Sequence, residues 1–206
     1  GLEIAPDFAR AVTGADEMLG VVPSHAFREV LERVRPLLRS GQGVAWATKG
    51  FELATGKLPH DVAAEVLGPG VPTAVLSGPT FAKEVGAGLP SAMTVASRDG
   101  DYAMALARSI SSETFRAYAS DDMIGVEVGG ATKNVLAIGA GVSDGLGFGA
   151  NTRVALITRG LKLIPVEHMD EVLVAALAHS DVRGFLRSGE HVVEATASVL
   201  EAVLSA

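Results

Sequence analysis

The chain contains no cysteine among its 206 residues, and aromatic side chains make up only 5% of it. The absence of cysteine excludes disulfide scaffolds, thiol nucleophiles and cysteine-ligated zinc or iron–sulfur sites, and it fits a cytoplasmic protein. No apolar run approaches the roughly 20 residues that a membrane-spanning helix needs. No signal-peptide pattern is present. We therefore expect a cytoplasmic protein without a membrane span.

Basic residues are in the minority, because 17 Lys and Arg stand against 24 Asp and Glu, which gives a net charge of −7. An acidic chain is not a general nucleic-acid binder, so no nucleic-acid partner is expected. The five histidines lack the spacing of a metal motif, and no metal is predicted. The sequence opens on Gly1 rather than Met, which predicts that the beginning of a longer protein has been removed.

Strand-like and helical patterns alternate in the first half of the chain. Predicted strands cover 17–23, 43–48, 73–77, 91–97 and 114–119, and predicted helices cover 25–38, 61–67, 81–85 and 101–109. This alternation is typical of βαβ units. The predicted fold class is α/β, an incomplete Rossmann-like parallel sheet followed by an all-α segment.

The character of the sequence changes near Ser120, where we predict a domain boundary. A long helix is predicted over 121–142, capped by Ser120 or Asp121, then a glycine-rich loop over 143–150 and a helix over 151–161. Eight of the 24 glycines fall between positions 125 and 149. Since each glycine inside a helix costs about 1 kcal/mol, they indicate either close packing or close approach of a ligand.

Two loops after predicted strands could bind an anion. Lys49 follows the strand that ends in Trp46-Ala47-Thr48, the place where parallel sheets bind ligands, although a solvated surface lysine has the same pattern. The segment 77–84 passes from strand to helix, so free backbone N–H groups and the Thr80 hydroxyl could hold a phosphate. The alternative is an ordinary turn in which Thr80 caps the helix.

Two further positions are chemically unusual. Lys133 stands among small and apolar residues of the long helix, which would lower its pKa and suit acid–base work, unless the side chain snorkels to solvent. His25 follows a strand end and could face a cofactor, or belong to a helix-capping turn built on Ser24. The G-x-G-x-G of segment 143–153 follows a helix rather than a strand, so it is read as a flexible loop.

Five stretches together resemble the bacterial-type NAD(P)-dependent glycerol-3-phosphate dehydrogenase family. They are VVPSHAFREVL, WATKGFE, SGPTFAKEV, GLPSAMTVAS and IGVEVGGATKNVLAIGAGVSDGLGFGANTRVALITRGL. Their order and spacing also match, and the resemblance covers residues 1–161. It implies hydride transfer between sn-glycerol 3-phosphate and dihydroxyacetone phosphate with NAD or NADP, in the synthesis of glycerophospholipid precursors.

The resemblance also implies roles for individual residues. Lys133 corresponds to the catalytic acid–base and contacts the substrate. The substrate-binding positions are Lys49, Gly78, Thr80 and Lys133, and the cofactor-binding positions are Pro23, Lys49 and Ala82. The small-molecule partner is thus glycerol 3-phosphate or dihydroxyacetone phosphate, and a homodimer is expected.

Two departures from the family pattern limit this prediction. The family begins with a strand and a G-x-G-x-x-G turn that holds the pyrophosphate, and here residues 1–120 form a partial dinucleotide-binding domain that lacks this first strand. Residues 121–206 form a truncated helical substrate domain with an unmatched tail from 162. Weak or absent NAD(P) binding is therefore expected. The alternatives are a non-catalytic remnant or interaction module, and a dehydrogenase of another hydroxy acid or sugar phosphate.

Overall fold

The computed structural model describes residues 4–162, which form thirteen elements. The chain divides into two compact units, of which the first ends at Glu127 and the second begins at Val128. The strands are β1 Glu17–Gly20, β2 Gly43–Trp46, β3 Thr73–Ser77, β4 Ser91–Ala96 and β5 Phe115–Ser120. The helices are α1 Phe8–Gly14, α2 Ser24–Val34, α3 Pro59–Leu67, α4 Ala82–Gly86, α5 Gly100–Ile110, α6 Met123–Gly145 and α7 Ala150–Lys162, with a 3₁₀ turn at Arg35–Leu37.

The five strands form one sheet in the order β1-β2-β3-β4-β5, which confirms the predicted α/β class. All neighbours are parallel except β3 and β4, so the prediction of a parallel sheet holds for three of the four pairings. The reason is the length of the connecting helix. The five residues of α4 rise only about 7.5 Å, too little to return the chain to the start of β3, whereas the 11-residue α5 spans about 16 Å.

Both faces of the sheet are covered. Alternate residues of β2 face opposite ways, so Val44 and Trp46 join one core and Ala45 joins the other. Phe27 of α2 packs against Trp46, with ring centroids 5.5 Å apart and planes tilted by 60°. Met123 of α6 belongs to the same core. The first turns of α6 are therefore part of the first unit.

Three local features differ from the sequence prediction. Helix α1 was not expected, since its seven residues carry only a weak apolar pattern, and the Asp7 side chain caps it by accepting from the Arg10 N–H at 3.1 Å. The predicted helix 25–38 ends at Val34, because Pro36 turns the following residues into 3₁₀ geometry. The prediction that Ser120 or Asp121 caps α6 is wrong, because the Asp122 carboxylate accepts from the Gly125 N–H at 2.8 Å.

Helix α6 is long and rich in glycine, as predicted. It continues to Gly145, so the glycine-rich loop is shorter than the predicted 143–150 and turns at Gly147, which has φ of +75°. Arg153 of α7 donates from both Nε and Nη2 to Asp144 Oδ1, at 2.8 and 2.6 Å. None of the helices between residues 4 and 162 is long and apolar enough to span a membrane.

Candidate active site at the carboxyl edge of the sheet

The carboxyl ends of β1, β2 and β3 lie at one edge of the sheet because these strands are parallel. In open sheets of this type, ligands bind at that edge. The loops that leave it carry the predicted site residues of the first unit: Pro23 after β1, Lys49 after β2, and Gly78, Thr80 and Ala82 after β3. Residues that are distant in sequence are thus gathered at one edge.

The start of the loop after β2 is fixed by hydrogen bonds. The Ala47 N–H donates to the Gly20 carbonyl at 2.9 Å, and the buried Thr48 hydroxyl donates to the Val22 carbonyl at 2.8 Å. The half-buried Lys49 follows at once, and Gly50 then turns the chain with φ of +92°, a conformation that favours glycine. The backbone that leads into Lys49 is therefore held by hydrogen bonds up to Thr48.

The loop after β3 does not have the capping geometry that was one alternative for it. The N-cap of α4 is Phe81, whose carbonyl accepts from Glu84 and Val85. Thr80 instead donates its backbone N–H to the Gly78 carbonyl at 3.0 Å. The alternative that Thr80 caps the helix is wrong. Ala82 is the first residue of α4 and is exposed.

Gly78 is required by packing as well as by its predicted contact with substrate. A Cβ atom at this position would lie 2.7 Å from the Ala92 carbonyl oxygen and 2.7 Å from Met93 Cα. These are backbone atoms of β4, which cannot move aside as a flexible side chain can.

We expect Gly78→Ala to lower the free energy of unfolding by about 1–3 kcal/mol through this overpacking. Urea unfolding measures the change. Gly86→Ala on α4 is the matched control, because a Cβ there meets nothing within 4 Å, and its stability should be unchanged or slightly increased. A Gly78→Ala protein as stable as the parent would contradict the contact.

Of the two explanations of His25, the structure tests only the helix-capping turn. Ser24 is the first residue of α2, and the N-cap is Pro23, which makes no side-chain capping bond. The alternative of a capping turn built on Ser24 is therefore wrong. His25 is exposed in the first turn. Within residues 4–162, no group of three His, Asp or Glu side chains could hold a metal ion.

Lys133 lies in the part of α6 that belongs to the second unit, and it is only 7% exposed. This exposure does not fit a lysine that snorkels to solvent. Burial lowers the pKa of the Lys133 ammonium below its ordinary value, because the charged form loses hydration. Lowering the pKa of a lysine towards neutrality is how proteins adapt it to proton transfer.

A buried polar cluster lies around Glu127, which is 4% exposed and was not predicted as a functional residue. One carboxylate oxygen accepts from Trp46 Nε1 at 2.9 Å. The other accepts from His60 Nδ1 at 2.7 Å and from the His60 backbone N–H at 3.3 Å. A signal was present, since a single acidic residue interrupts the apolar run 123–128, and such a residue is buried only with partners. The cluster joins β2, α3 and the start of α6.

The His60–Glu127 pair makes stability depend on pH. The hydrogen bond to Glu127 raises the pKa of His60 above its ordinary value, opposed by desolvation, with Asp61 adding to the rise and Arg98 reducing it. The charged His60–Glu127 pair therefore contributes its full stabilisation below about pH 6.5, which is the pKa of a histidine in an unfolded chain. This contribution is lost as the pH rises through the higher pKa of His60 in the folded protein.

We expect the difference in unfolding free energy between the parent and His60→Asn to shrink as pH increases through this range. Asn keeps a donor near the position of Nδ1 but does not titrate. Urea unfolding at several pH values measures the difference. A difference that stays constant or grows with pH would show that the pair is not charged in the folded state.

A mostly parallel five-stranded sheet with loops at the carboxyl ends of its first three strands defines a Rossmann-like fold, which binds its ligands at that edge. The comparison with family models is specific. The NAD-dependent glycerol-3-phosphate dehydrogenase N-terminus matches residues 1–103, and the C-terminus of the same family matches residues 122–178. The chain belongs to the NAD-dependent glycerol-3-phosphate dehydrogenase family. The second match continues past residue 161, where the resemblance seen in the sequence ends.

Individual relatives agree with this assignment. The chain is 58% identical over 160 residues to glycerol-3-phosphate dehydrogenase [NAD(P)+] of Nitrosococcus oceani, covering 78% of this chain and 46% of that protein. It is 55% identical over 161 residues to the Edwardsiella ictaluri protein, covering 78% and 48%. The crystal structure of the Coxiella burnetii enzyme matches with a TM-score of 0.77 and 39% identity, over 85% of this chain and 57% of that one. The chain thus spans about half the length of these curated relatives.

Proposed function

We propose that this chain interconverts dihydroxyacetone phosphate and sn-glycerol 3-phosphate with NAD(P)H as hydride donor. In the balanced reaction, dihydroxyacetone phosphate, NAD(P)H and one proton give glycerol 3-phosphate and NAD(P)+. The observation that supports this most is the buried Lys133 with its lowered pKa, in a chain whose relatives carry this activity in their names.

Lys133 is proposed to act as the general acid and base of the reaction. In the direction of reduction, the ammonium donates a hydrogen bond to the carbonyl oxygen and then gives up its proton as that oxygen becomes a hydroxyl. In the reverse direction, the neutral amine takes the proton back. Burial lowers the pKa of Lys133, which makes the neutral amine easier to reach than in an exposed lysine and suits general acid–base catalysis.

The edge of the sheet is proposed to hold the anionic groups. Lys49 is a cation at the carboxyl end of β2, and the backbone and hydroxyl around Gly78 and Thr80 can donate to a phosphate. Pro23, Lys49 and Ala82 would hold the cofactor, since a cation and open loops at this edge suit a phosphorylated nucleotide. The cofactor, when bound, supplies the hydride.

The direct test is oxidation of NADH that depends on dihydroxyacetone phosphate, measured with the purified chain and with Lys133→Ala. Activity that is lost in the variant supports the proposal. Absence of activity in both proteins favours the second candidate, a non-catalytic member of the family. Titration calorimetry with NADH and NADPH measures cofactor binding separately. Activity assays with a panel of other hydroxy acids and sugar phosphates test which substrate the chain uses.

Location and assembly are also proposals. We infer a cytoplasmic protein, because phosphorylated substrates and nicotinamide nucleotides occur there and the sequence has no cysteine. A homodimer is the proposed assembly. Light scattering of the purified chain tests it, with a monomer as the result that overturns it.

A further inference from the structure

The loop 48–58, which follows β2, begins with Lys49 and has few apolar anchors. Five of its residues are exposed, including Phe51 at 46% and Leu53 at 87%. A loop of this composition is expected to be mobile, because little buried surface offsets the entropy of ordering it. The structure nevertheless shows a dense set of polar contacts around one residue of the loop.

That residue is Glu52, three positions after Lys49. Its backbone N–H donates to the Lys57 carbonyl at 2.9 Å. Its own carbonyl accepts from the N–H groups of Thr55 and Gly56, at 3.3 and 2.8 Å. The segment 52–57 is therefore closed on Glu52 through the backbone. Its side chain is only 13% exposed.

Arg28 of α2 binds the Glu52 carboxylate in a two-pronged arrangement. Arg28 Nε donates to Glu52 Oε1 at 2.7 Å, and Nη2 donates to Oε2 at 2.9 Å. Nη2 also donates to Glu65 Oε2 of α3 at 2.8 Å. The bond from Arg28 lowers the pKa of Glu52 to about 2, so the pair stays charged at every ordinary pH. Such paired bonds fix direction as well as distance.

Arg28 is 31% exposed and Glu52 13% exposed, and a two-pronged pair of this kind can add to the free energy of unfolding. The pair also fixes the path of the loop relative to the helix that follows β1. Between the pair and Lys49 lie only Gly50, held at a positive φ, and Phe51. A fixed path for the loop means a fixed starting direction for the Lys49 side chain.

We propose that Arg28 and Glu52 are positioning residues, which hold the loop so that Lys49 is presented to the phosphate of the substrate. The inference rests on the proposed function of Lys49. In this proposal they act through the loop and not by contact with the substrate. Their effect is to pre-order the loop before binding, so that the ligand does not bear the entropic cost of ordering it.

The test compares Arg28→Gln and Glu52→Gln with the parent chain by two measurements. Amide hydrogen exchange of residues 49–57 reports the order of the loop without any ligand. Titration with dihydroxyacetone phosphate in the presence of excess NAD+, a pair between which no hydride can pass, is followed by amide NMR shifts and reports binding, with inorganic phosphate as a second probe. We expect exchange in the loop to accelerate and the Kd to rise about 3- to 10-fold in both variants. Thermal unfolding of each variant is measured as well, and exchange and binding are compared at a temperature at which every variant is folded.

Two further variants define the comparison. Lys49→Ala should weaken binding without loosening the loop. Arg153→Gln breaks the similar Arg–Asp pair of the second unit, and it should alter neither the loop nor binding. Arg28→Lys keeps the charge but loses the two-pronged geometry, and it should restore only part of the loop order.

Each outcome decides the question. Unchanged exchange of the loop in Arg28→Gln overturns the inference whatever the binding data show. A loosened loop with unchanged binding, while Lys49→Ala binds weakly, overturns the inference but leaves the proposed function standing. If Lys49→Ala binds as the parent does, or neither responds to the probe, the role of Lys49 fails and the inference falls with it. Loosening together with weakened binding supports it.

Discussion

Lys133→Ala is expected to lower the rate of dihydroxyacetone phosphate reduction by about 10²–10⁴-fold, the usual contribution of a positioned acid–base group. The physical reason is the loss of both the proton and the positive charge at the carbonyl oxygen. Steady-state oxidation of NADH measures the change. Thermal unfolding confirms that the variant is folded.

The pH dependence gives an independent check of the same residue. Reduction needs the protonated amine, so the rate should fall as pH rises through the pKa of Lys133. Since burial lowers that pKa, the fall should occur below the value of about 10.4 of an ordinary lysine. Lys133→Arg keeps a charge that cannot be given up, and it should lose most of the activity as well. Arg108→Ala, which removes an exposed cation of α5, is the control and should be fully active. A Lys133→Ala protein that retains more than a third of the parent rate would remove Lys133 from the mechanism.

Glu127→Ala is expected to lower the free energy of unfolding by about 3–5 kcal/mol. The substitution leaves Trp46 Nε1 and His60 Nδ1 buried without the carboxylate to which both donate. A domain of this size is stable by only about 5–15 kcal/mol, so the loss is a large fraction of the total. The chain has a single tryptophan, whose fluorescence reports this site directly during urea unfolding.

Two control variants separate the buried cluster from a general effect of losing a glutamate. Glu127→Gln keeps an acceptor but no charge, so its cost should be smaller, about 1–2 kcal/mol. Glu29→Ala removes an exposed carboxylate of α2 and should change the stability by less than about 0.5 kcal/mol. A loss below 1 kcal/mol in Glu127→Ala would mean that the cluster contributes little.

The sequence was sufficient for features that repeat along the chain. The strand 73–77 was predicted with its exact ends, because a run such as TAVLS between turn residues has the period and length of a buried strand. The direction of β4 could not be predicted in this way. It depends on how far the five-residue α4 carries the chain. The predicted helix over 81–85 has the same length, but the alternation of strands and helices by itself predicts a parallel sheet whatever the length of the helix between two strands.

The site residues also divide into those with a local sequence signal and those without one. Lys49 and Lys133 stood out because a charge among strand-ending or apolar residues is unusual in a single window of sequence. Glu127 and Trp46 are 81 residues apart, and Arg28 and Glu52 are 24 apart, so their contacts exist only after the sheet brings α2, β2 and α6 together. Groups whose partners lie in distant elements carry no local signature.

The antiparallel β4 has a consequence for how such a chain can change over evolutionary time. Residues 81–90 are all exposed and connect β3 to the antiparallel strand β4 beside it. They therefore form a connection that starts and ends at the same edge of the sheet. A connection between adjacent antiparallel strands can gain or lose residues without changing the order of the strands. The helices between parallel strands lack this freedom, because they must span the full height of the sheet. We therefore expect descendants of this fold to vary in length here, in the stretch that follows Ala82, more readily than in α2 or α5.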